Sequence, residues 1–438
     1  MFQNNTQSRR DFLAKVSTVG GAGLLFPSIL PTAAKGANDR VRLAAIGVGG
    51  KGQHGLGIFL GMEDVDLVAV CDVWDPTLQS AIALSNGKAK GYRDFREVLA
   101  REDVDAVLIA TPDHWHSIPT IHALEAGKDV YVEKPLSLTI AEGRRMVKAS
   151  KKNDRIVQVG LQQRSGTHFQ SAIERIRRGD IGQITKVETW YNENHSPNGI
   201  GITTDSEPPQ GLDWNAWLGP APNRPYNHNR RVHFRWFWDH SGGKVTDWGT
   251  HLMDIVQAAM GVEYPNAVMA TGSKYLLKDN RETPDTIHVL WEYPEFLASF
   301  SNRVCNRYEG GDGYYGISFF GTEGTLFLNR EGWKITPERY ADFPGQEGYD
   351  KLRMESSESV GSPQHEPHCR EFIDCVKSRQ QPIGDIKSAH RSTSACVMAN
   401  IAYRTKRRLE WDGQAERFVG DDLANEFLDY EYRGGWWA

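Results

Sequence analysis

Three side chains that can exchange protons lie in two short segments of this sequence. Lys134 precedes a proline at the end of an apolar run, and Asp247 and His251 lie four positions apart in a second segment. Residues four apart share one face of a helix, so this pair would present an acid and a base together. A partly desolvated lysine, or a histidine, can take a hydroxyl proton near neutral pH. The sequence leaves Lys134 and His251 both open as the base, with Asp247 orienting the other groups or binding a hydroxyl. The structural alternative is that Asp247 only caps the helix and that His251 packs beneath it.

A glycine-rich turn near the start of the chain predicts a dinucleotide site. The turn follows the apolar run 41–46, and Asp72 ends the next apolar run twenty positions later. Glycines let the backbone approach a pyrophosphate at the start of a helix, and Asp72 would accept hydrogen bonds from the adenosine ribose. A carboxylate there repels a 2′-phosphate, so NAD is favoured over NADP, although a nearby Lys or Arg could still reverse that preference. The turn consists of Gly47, Val48, Gly49, Gly50, Lys51 and Gly52.

The first part of the chain alternates short apolar strands with segments of helical periodicity, such as 115–125 and 141–151. This alternation predicts a doubly wound parallel sheet, which binds its ligand at the carboxyl ends of the strands. The predicted strands are 41–46, 67–71, 105–110, 129–132 and 156–159.

Polar residues directly after three of these strands are candidates to surround the cofactor. They are Thr111, Pro112, His114 and His116 after the third strand, Glu133 and Lys134 after the fourth, and Gln162 after the fifth. The two histidines are two positions apart, a spacing that fits a cofactor pocket or the start of a helix better than a metal site.

After Gly182 the pattern changes to alternation of apolar and polar residues, as in 184–191, 286–291 and 298–303. This pattern predicts a largely antiparallel sheet with one face on a core. Two helices are expected around Pro382 and Gly384. The predicted organisation is an export signal in 1–36, a nucleotide-binding domain in 40–160, a substrate and oligomerisation α/β domain in 161–365, helices that pack back on the first domain in 366–412, and a tail in 413–438.

Together these motifs resemble the Gfo/Idh/MocA oxidoreductases. The marks of the resemblance are the turn 47–52, Thr111-Pro112, Glu133-Lys134-Pro135 and the segment 242–251, GGKVTDWGTH. The resemblance implies an N-terminal Rossmann domain and a C-terminal α/β domain whose large open, mainly antiparallel sheet often serves oligomerisation, here a homodimer or homotetramer. It also implies oxidation or reduction of a carbohydrate or polyol at a carbinol carbon, with Lys134, Asp247 and His251 around the reacting hydroxyl.

Several large or charged side chains could contact a sugar. Flat aromatic rings suit the C–H faces of sugars, although large aromatics also fill ordinary cores. The three polar residues Tyr191, Glu193 and His195 end one strand, but without a further fixed partner they do not predict a metal site. The substrate candidates are Arg164, Tyr191, Trp214, Trp217, Trp236 and Trp238.

The first residues resemble a twin-arginine export signal. Arg9 and Arg10 precede an apolar stretch that is interrupted by glycines and is short for a membrane span. We therefore predict a periplasmic protein without a membrane span in its mature form. Because that route carries folded proteins and no free NAD pool is expected outside the cytoplasm, the cofactor would be held tightly and recycled.

Composition excludes some partners and leaves three functions open. A net charge of -5 over 438 residues, with 39% hydrophobic and 24% charged residues, is typical of a globular protein and disfavours nucleic acid as a partner. Five cysteines without a C-x-x-C pair predict buried free thiols. The leading function is an exported NAD-dependent sugar oxidoreductase. The alternatives are an NAD-dependent glycoside hydrolase that oxidises its substrate transiently, and a non-catalytic sugar or nucleotide sensor.

Overall fold

A computed structural model describes residues 40–308 and 313–436, so the predicted export segment 1–36 lies outside the described residues. Six strands form the first sheet: β1 (Val41–Ile46), β2 (Val65–Cys71), β3 (Lys90–Tyr92), β4 (Ala106–Ile109), β5 (Asp129–Val132) and β6 (Val157–Val159). All neighbours are parallel, in the order β3-β2-β1-β4-β5-β6. The predicted doubly wound sheet is confirmed. The short strand β3 was not predicted because its three residues, Lys-Gly-Tyr, show no apolar pattern.

Helices cover both faces of this sheet: α1 (Gly50–Leu60), α2 (Asp75–Leu84), α3 (Phe95–Leu99), α4 (Ser117–Glu125) and α5 (Ile140–Asn153). Successive residues of β1 enter different cores, Leu43 and Ala45 on one face and Ala44 and Ile46 on the other. Burial on both faces explains why the strands are continuous apolar runs. A 3-10 turn over Asp113–Trp115 precedes α4, so this helix begins at Ser117, two residues later than the predicted start at 115.

The second sheet is large and mainly antiparallel, as predicted. The remaining strands are β7 (Ile184–Asn192), β8 (Asp205–Ser206), β9 (Tyr226–Asn227), β10 (Ala267–Ser273), β11 (Thr286–Glu292), β12 (Leu297–Arg303), β13 (Tyr315–Gly321), β14 (Gly324–Asn329), β15 (Gly332–Pro337), β16 (Ser357–Val360), β17 (Leu409–Asp412) and β18 (Arg417–Phe418). Ten of them form one sheet in the order β16-β15-β14-β13-β7-β12-β11-β10-β17-β18, in which β7 and β12 are parallel, and β8 pairs with β9 separately.

The other helices are α6 (Thr167–Arg177), α7 (Trp214–Leu218), α8 (His228–Val232), α9 (Gly243–Asp247), α10 (Gly249–Met260), α11 (His365–Ser378), α12 (Ile386–Thr405) and α13 (Asp422–Glu426). Residues of α10 and α12 share a core with the buried Trp291, Phe300 and Phe319 of the large sheet. Helix α11 packs against α1, and α12 packs against α5. Helix α12 therefore joins the two sheets, whereas α11 packs on the first.

Among the described residues, no helix is both long and apolar enough to cross a membrane. All five cysteines are free thiols; four are buried and Cys305 is half-buried.

Candidate functional site

A cleft of about 840 Å³ opens at the carboxyl ends of the parallel strands. The loops after β1 to β5 line one wall. The other wall consists of Leu212, Asp213, Ala216, Trp217, Arg231, Val232, Phe234, Arg235 and Asp247. This is the place where a doubly wound sheet binds its ligand.

The glycine turn leaves room for a phosphate on one side only. A Cβ on Gly47 would lie 2.7 Å from the backbone nitrogen of Thr111, and a Cβ on Gly52 would overlap the carbonyl oxygen of Gly47. Nothing lies within 4 Å of the Cβ positions of Gly49 and Gly50, which line the cleft at the start of α1. The first N–H groups of a helix have no partner within it and favour an anion. The turn therefore fits a pyrophosphate.

Asp72 lies at the cleft beside this turn. Its carboxylate accepts hydrogen bonds from the N–H groups of Val48 and Trp74, both at 3.0 Å. Burial raises its pKa. Arg231 reaches over from the other wall and lies 4.2 Å from the Trp74 ring centroid. A cation therefore stands close to the residue that would bind the ribose.

Lys134 and Asp247 meet across the cleft from the two domains. Lys134 Nζ lies 2.7 Å from Asp247 Oδ1 and 2.9 Å from its carbonyl oxygen. Arg235 Nε and Lys244 Nζ lie 2.9 and 3.3 Å from Oδ2. Burial disfavours the ionised Asp247, but the charges of Arg235, Lys134 and Lys244 outweigh it and hold the pKa well below its usual value. Asp247 is therefore a carboxylate at neutral pH.

A second carboxylate extends this network away from the cleft. Glu193 accepts from the Tyr191 hydroxyl at 2.5 Å and pairs with His195 Nε2 at 3.0 Å and Lys244 Nζ at 3.2 Å. Burial opposes its ionisation, yet His195 and Lys244 lower its pKa to about 2. Lys244 thus joins two buried carboxylates. The three residues 191, 193 and 195 form part of a charge network, and no cluster of metal ligands occurs among the described residues.

His251 lies in the first turn of α10 and is buried, whereas Asp247 ends α9, so the two residues do not share a single helix as predicted, because the helix is interrupted at Trp248. Its Nδ1 has no hydrogen-bond partner, and the residue is not among those that line the cleft. Burial, and then the charge of Lys134, lower its pKa well below the usual value. The imidazole is therefore neutral near pH 7, and its lowered pKa makes it a weaker base than an exposed histidine.

The other predicted cofactor residues divide into two groups. Lys51, Thr111, Pro112, His116 and Glu133 line the cleft. Gln162 does not; it lies behind the wall and donates to Glu133 Oε1 and the Tyr131 hydroxyl, both at 3.0 Å.

His114 is also outside the cleft. It is fully buried, its Nε2 lies 3.0 Å from the carbonyl oxygen of Trp217, and its ring packs against His240. Burial lowers its pKa to about 4. His114 therefore packs between the two walls of the cleft and does not face the cofactor site.

Most of the predicted substrate residues lie elsewhere. Arg164 forms two hydrogen bonds of 2.7 Å with buried Asp254 because α10 faces the turn that carries it. Of the four candidate tryptophans only Trp217 lines the cleft. The other three tryptophans contact protein neighbours: Trp214 stacks on Trp217, Trp236 lies under Arg281, and Trp238 packs on Tyr403. The candidate Tyr191 stacks on Trp248.

The sequence analysis did not single out several cleft residues. Arg235 binds Asp247, and Phe234 lies beside it in the lining. Phe95 and Trp115 line the opposite end, together with Trp436 from the C-terminal tail. The aromatic run around Arg235 and the glycine pair before Trp436 were the only local signals.

The comparisons with known proteins agree with this architecture. Residues 41–161 match the family model described as "Oxidoreductase family, NAD-binding Rossmann fold". Residues 184–272 and 352–438 match the one described as "Oxidoreductase family, C-terminal alpha/beta domain". The two models together match more than half of the chain.

Among curated proteins, a "Glycosyl hydrolase family 109 protein" of Shewanella baltica (strain OS195) is 30% identical over 164 residues, 35% of each chain. The match thus spans about a third of that relative. Solved structures share the fold over most of the chain. Levoglucosan dehydrogenase in complex with NADH and levoglucosan aligns at TM-score 0.64 and 16% identity, covering 85% of this chain and 99% of the other. The WlbA dehydrogenase from Bordetella pertussis in complex with NADH and UDP-GlcNAcA aligns at TM-score 0.63 and 19% identity, with the same coverage.

Proposed function

The chain belongs to the Gfo/Idh/MocA oxidoreductase family, and from that premise we propose that it oxidises or reduces a hydroxyl carbon of a sugar, polyol or glycoside with NAD as the preferred cofactor. The observation that carries the proposal is the meeting of Lys134 Nζ and Asp247 Oδ1 at 2.7 Å on the wall of the nucleotide cleft. The open faces of Gly49 and Gly50 and the carboxylate of Asp72 fit the pyrophosphate and the ribose.

A bound nicotinamide supplies the acceptor or donor of the hydride, and the residues of the chain manage the proton. Lys134 keeps a donor at the cleft, and Asp247, held ionised, fixes the position of Nζ. A hydroxyl that enters beside Nζ can exchange its proton with Lys134 directly or with the neutral His251 behind it. Lys134 and His251 therefore both remain candidates for the base.

The test uses purified protein. Mass spectrometry of the small molecules released on denaturation should show NAD, and sugars and polyols should reduce it, as followed by absorbance of the reduced nicotinamide. The absence of bound nucleotide, together with no reduction of NAD by any member of a broad sugar panel, would contradict the proposal.

A second candidate is a redox-neutral glycoside hydrolase, favoured by the 30% identity to glycosyl hydrolase family 109 proteins. Such an enzyme oxidises a ring carbon, eliminates the aglycone after loss of the neighbouring acidified proton, adds water to the double bond that results, and returns the hydride, so paired carboxylates are unnecessary. Aryl glycosides separate the two functions. Release of the phenol without net change in cofactor absorbance identifies the hydrolase, and a stable keto-sugar identifies the dehydrogenase.

We also propose export by the twin-arginine route and assembly as a homodimer or homotetramer. The support for export is the sequence Ser8-Arg9-Arg10-Asp11-Phe12-Leu13, and the support for assembly is the open ten-stranded sheet. Replacement of both arginines by lysine should retain the protein in the cytoplasm, and light scattering should give a multiple of the chain mass. Periplasmic delivery of the double variant, or a monomer, would refute the respective proposal.

A further inference from the structure

The last described residues of the chain, 427–436, form a segment that we name the C-terminal strap. Asp429 pairs with Arg145 of α5 through hydrogen bonds of 2.6 and 2.9 Å. The Tyr432 hydroxyl donates at 2.8 Å to Glu142, whose side chain is completely buried. These contacts fasten the strap to the nucleotide-binding domain.

Arg433 fastens the strap to the opposite wall of the cleft. Its guanidinium donates to the carbonyl oxygens of Gly219 and Ala221, each at 3.1 Å, and to the side chain and carbonyl of Asn215 at 2.6 and 2.8 Å. Its backbone N–H donates to the Pro220 carbonyl at 3.0 Å. The same segment contributes Ala216 and Trp217 to the cleft. The strap therefore ties the two walls together.

Two glycines turn the chain from this anchor into the cleft. Gly434 and Gly435 have φ angles of +20° and +61°, in the region that side chains disfavour. The next residue, Trp436, lines the cleft. A sharp turn thus delivers a large ring at a defined place.

Trp436 stands at the end of the cleft that would hold adenosine. Its ring lies edge-on to Trp115 with centroids 5.2 Å apart, and Arg96 Cζ is 5.8 Å from its centroid. Arg96 belongs to α3, the helix that follows the edge strand β3, whereas Lys134 follows β5 on the other side of the glycine turn. The ring is therefore separated from the reaction end by the turn that fits the pyrophosphate.

We propose that Trp436 covers the adenine of the bound dinucleotide and that the C-terminal strap retains the nucleotide. The wall already offers Phe95 and Trp115, so a purine would enter a site of aromatic rings closed by a third. Stacking of a base on one aromatic side chain changes affinity by roughly tenfold or more. The inference rests on the proposed function only in requiring a dinucleotide, and it adds an adenine-binding residue from outside the nucleotide-binding domain.

The test measures binding rather than turnover. Protein stripped of nucleotide is titrated calorimetrically with NAD and with ADP-ribose, which lacks the nicotinamide, for the wild type, Trp436→Ala and Trp436→Phe. We expect Trp436→Ala to weaken the binding of both ligands about tenfold or more, and Trp436→Phe to keep most of the affinity. Dissociation constants of Trp436→Ala within twofold of the wild type would overturn the proposal.

Two further measurements keep the outcome unambiguous. Tyr340→Ala, an exposed aromatic residue away from the cleft, should leave both constants unchanged. In the wild type, ADP-ribose should slow tryptic cleavage after Arg433, and cleavage at equal rates with and without it would also overturn the proposal. If Trp436→Ala binds NAD and ADP-ribose more weakly but no sugar is turned over, the proposed function alone fails. If sugars are turned over but Trp436→Ala binds both ligands normally, the proposal for the C-terminal strap alone fails.

Discussion

The two ends of the cleft are built from different kinds of sequence. At the nucleotide end, one contiguous turn, Gly47–Gly52, presents backbone groups, and steric clearance at the glycines sets its shape. At the reaction end, Lys244 and Asp247 of α9 meet Lys134 and Arg235 from two other segments, and their charges set the geometry. A backbone site can therefore be recognised in local sequence, whereas a charge network is defined mainly by which segments the fold brings together.

The two ends of the cleft also differ in how well each tolerates a single substitution. Three cations surround Asp247, so removal of any one leaves the carboxylate compensated. No comparable redundancy exists in the glycine turn, because a single Cβ at position 52 would overlap the backbone. The following predictions test this contrast.

The largest effect is expected for Lys134→Ala. Loss of the donor at Nζ should lower kcat by about 10²- to 10⁴-fold, the usual contribution of a positioned acid or base. The NAD dissociation constant should change little because the turn is intact. Steady-state kinetics and calorimetry measure the two effects, with Lys128→Ala as the matched control, since Lys128 Nζ is held by the Arg101 carbonyl outside the cleft. Turnover within threefold of the wild type would remove Lys134 from the mechanism.

At the nucleotide end, Gly52→Ala should weaken NAD binding by on the order of a hundredfold through displacement of the turn, an overpacking cost of about 1–3 kcal/mol. Gly57→Ala is the matched control, because it lies on the same helix with nothing within 4 Å of its Cβ position. That change should leave binding intact and stabilise the helix by up to about 1 kcal/mol. Equal effects of the two alanines on the NAD titration would contradict a sterically limited site.

A smaller effect is expected for Lys244→Met. Loss of one of three cations removes part of the charge that offsets the effect of burial on Asp247. The pKa of Asp247 should therefore rise, although the carboxylate stays paired with Lys134 and Arg235. We expect kcat/KM to fall about tenfold and its acidic limb to move to higher pH, whereas Lys186→Met on the exposed face of β7 should change neither. An unshifted pH profile would show that Lys244 does not act on Asp247.

The last prediction concerns stability at acidic pH. Burial lowers the pKa of His114 and of His368 to about 4, so the unfolded chain binds protons below pH 6.5 that the folded chain does not. Each histidine should therefore cost about 1.4 kcal/mol of unfolding free energy per pH unit between 6.5 and 4, and nothing above 6.5. Denaturant unfolding at several pH values measures the slope, which should be shallower in His114→Gln. A slope identical in the two proteins would argue against a neutral buried His114.

Much of the fold follows from local sequence. Strands β1 and β5 have the predicted bounds because both faces of a parallel strand are buried and the apolar run is continuous. Strand β3 and the strands β15 to β18 were not predicted, since short or polar strands owe their existence to the neighbours with which they pair.

The site shows the same limit. Lys134 and Asp247 were predicted from their segments and do meet, but Arg164 was not predicted to bind Asp254, ninety residues away. A residue's type reveals which partners it can accept, and the sequence does not reveal which partner is near. Trp236 and Trp238 were assigned to the substrate on type alone, and the fold gave those rings other neighbours.

Local sequence was sufficient to predict the parallel sheet, the glycine turn with Asp72 in register, and the candidates for proton exchange, because each depends on contiguous residues and on the fixed periods of strands and helices. The three cations around Asp247, the burial of His251 and the entry of Trp436 into the cleft follow instead from the packing of distant segments. Charge and burial depend on distances between segments far apart in the chain, and those distances exist only after the two sheets have packed together.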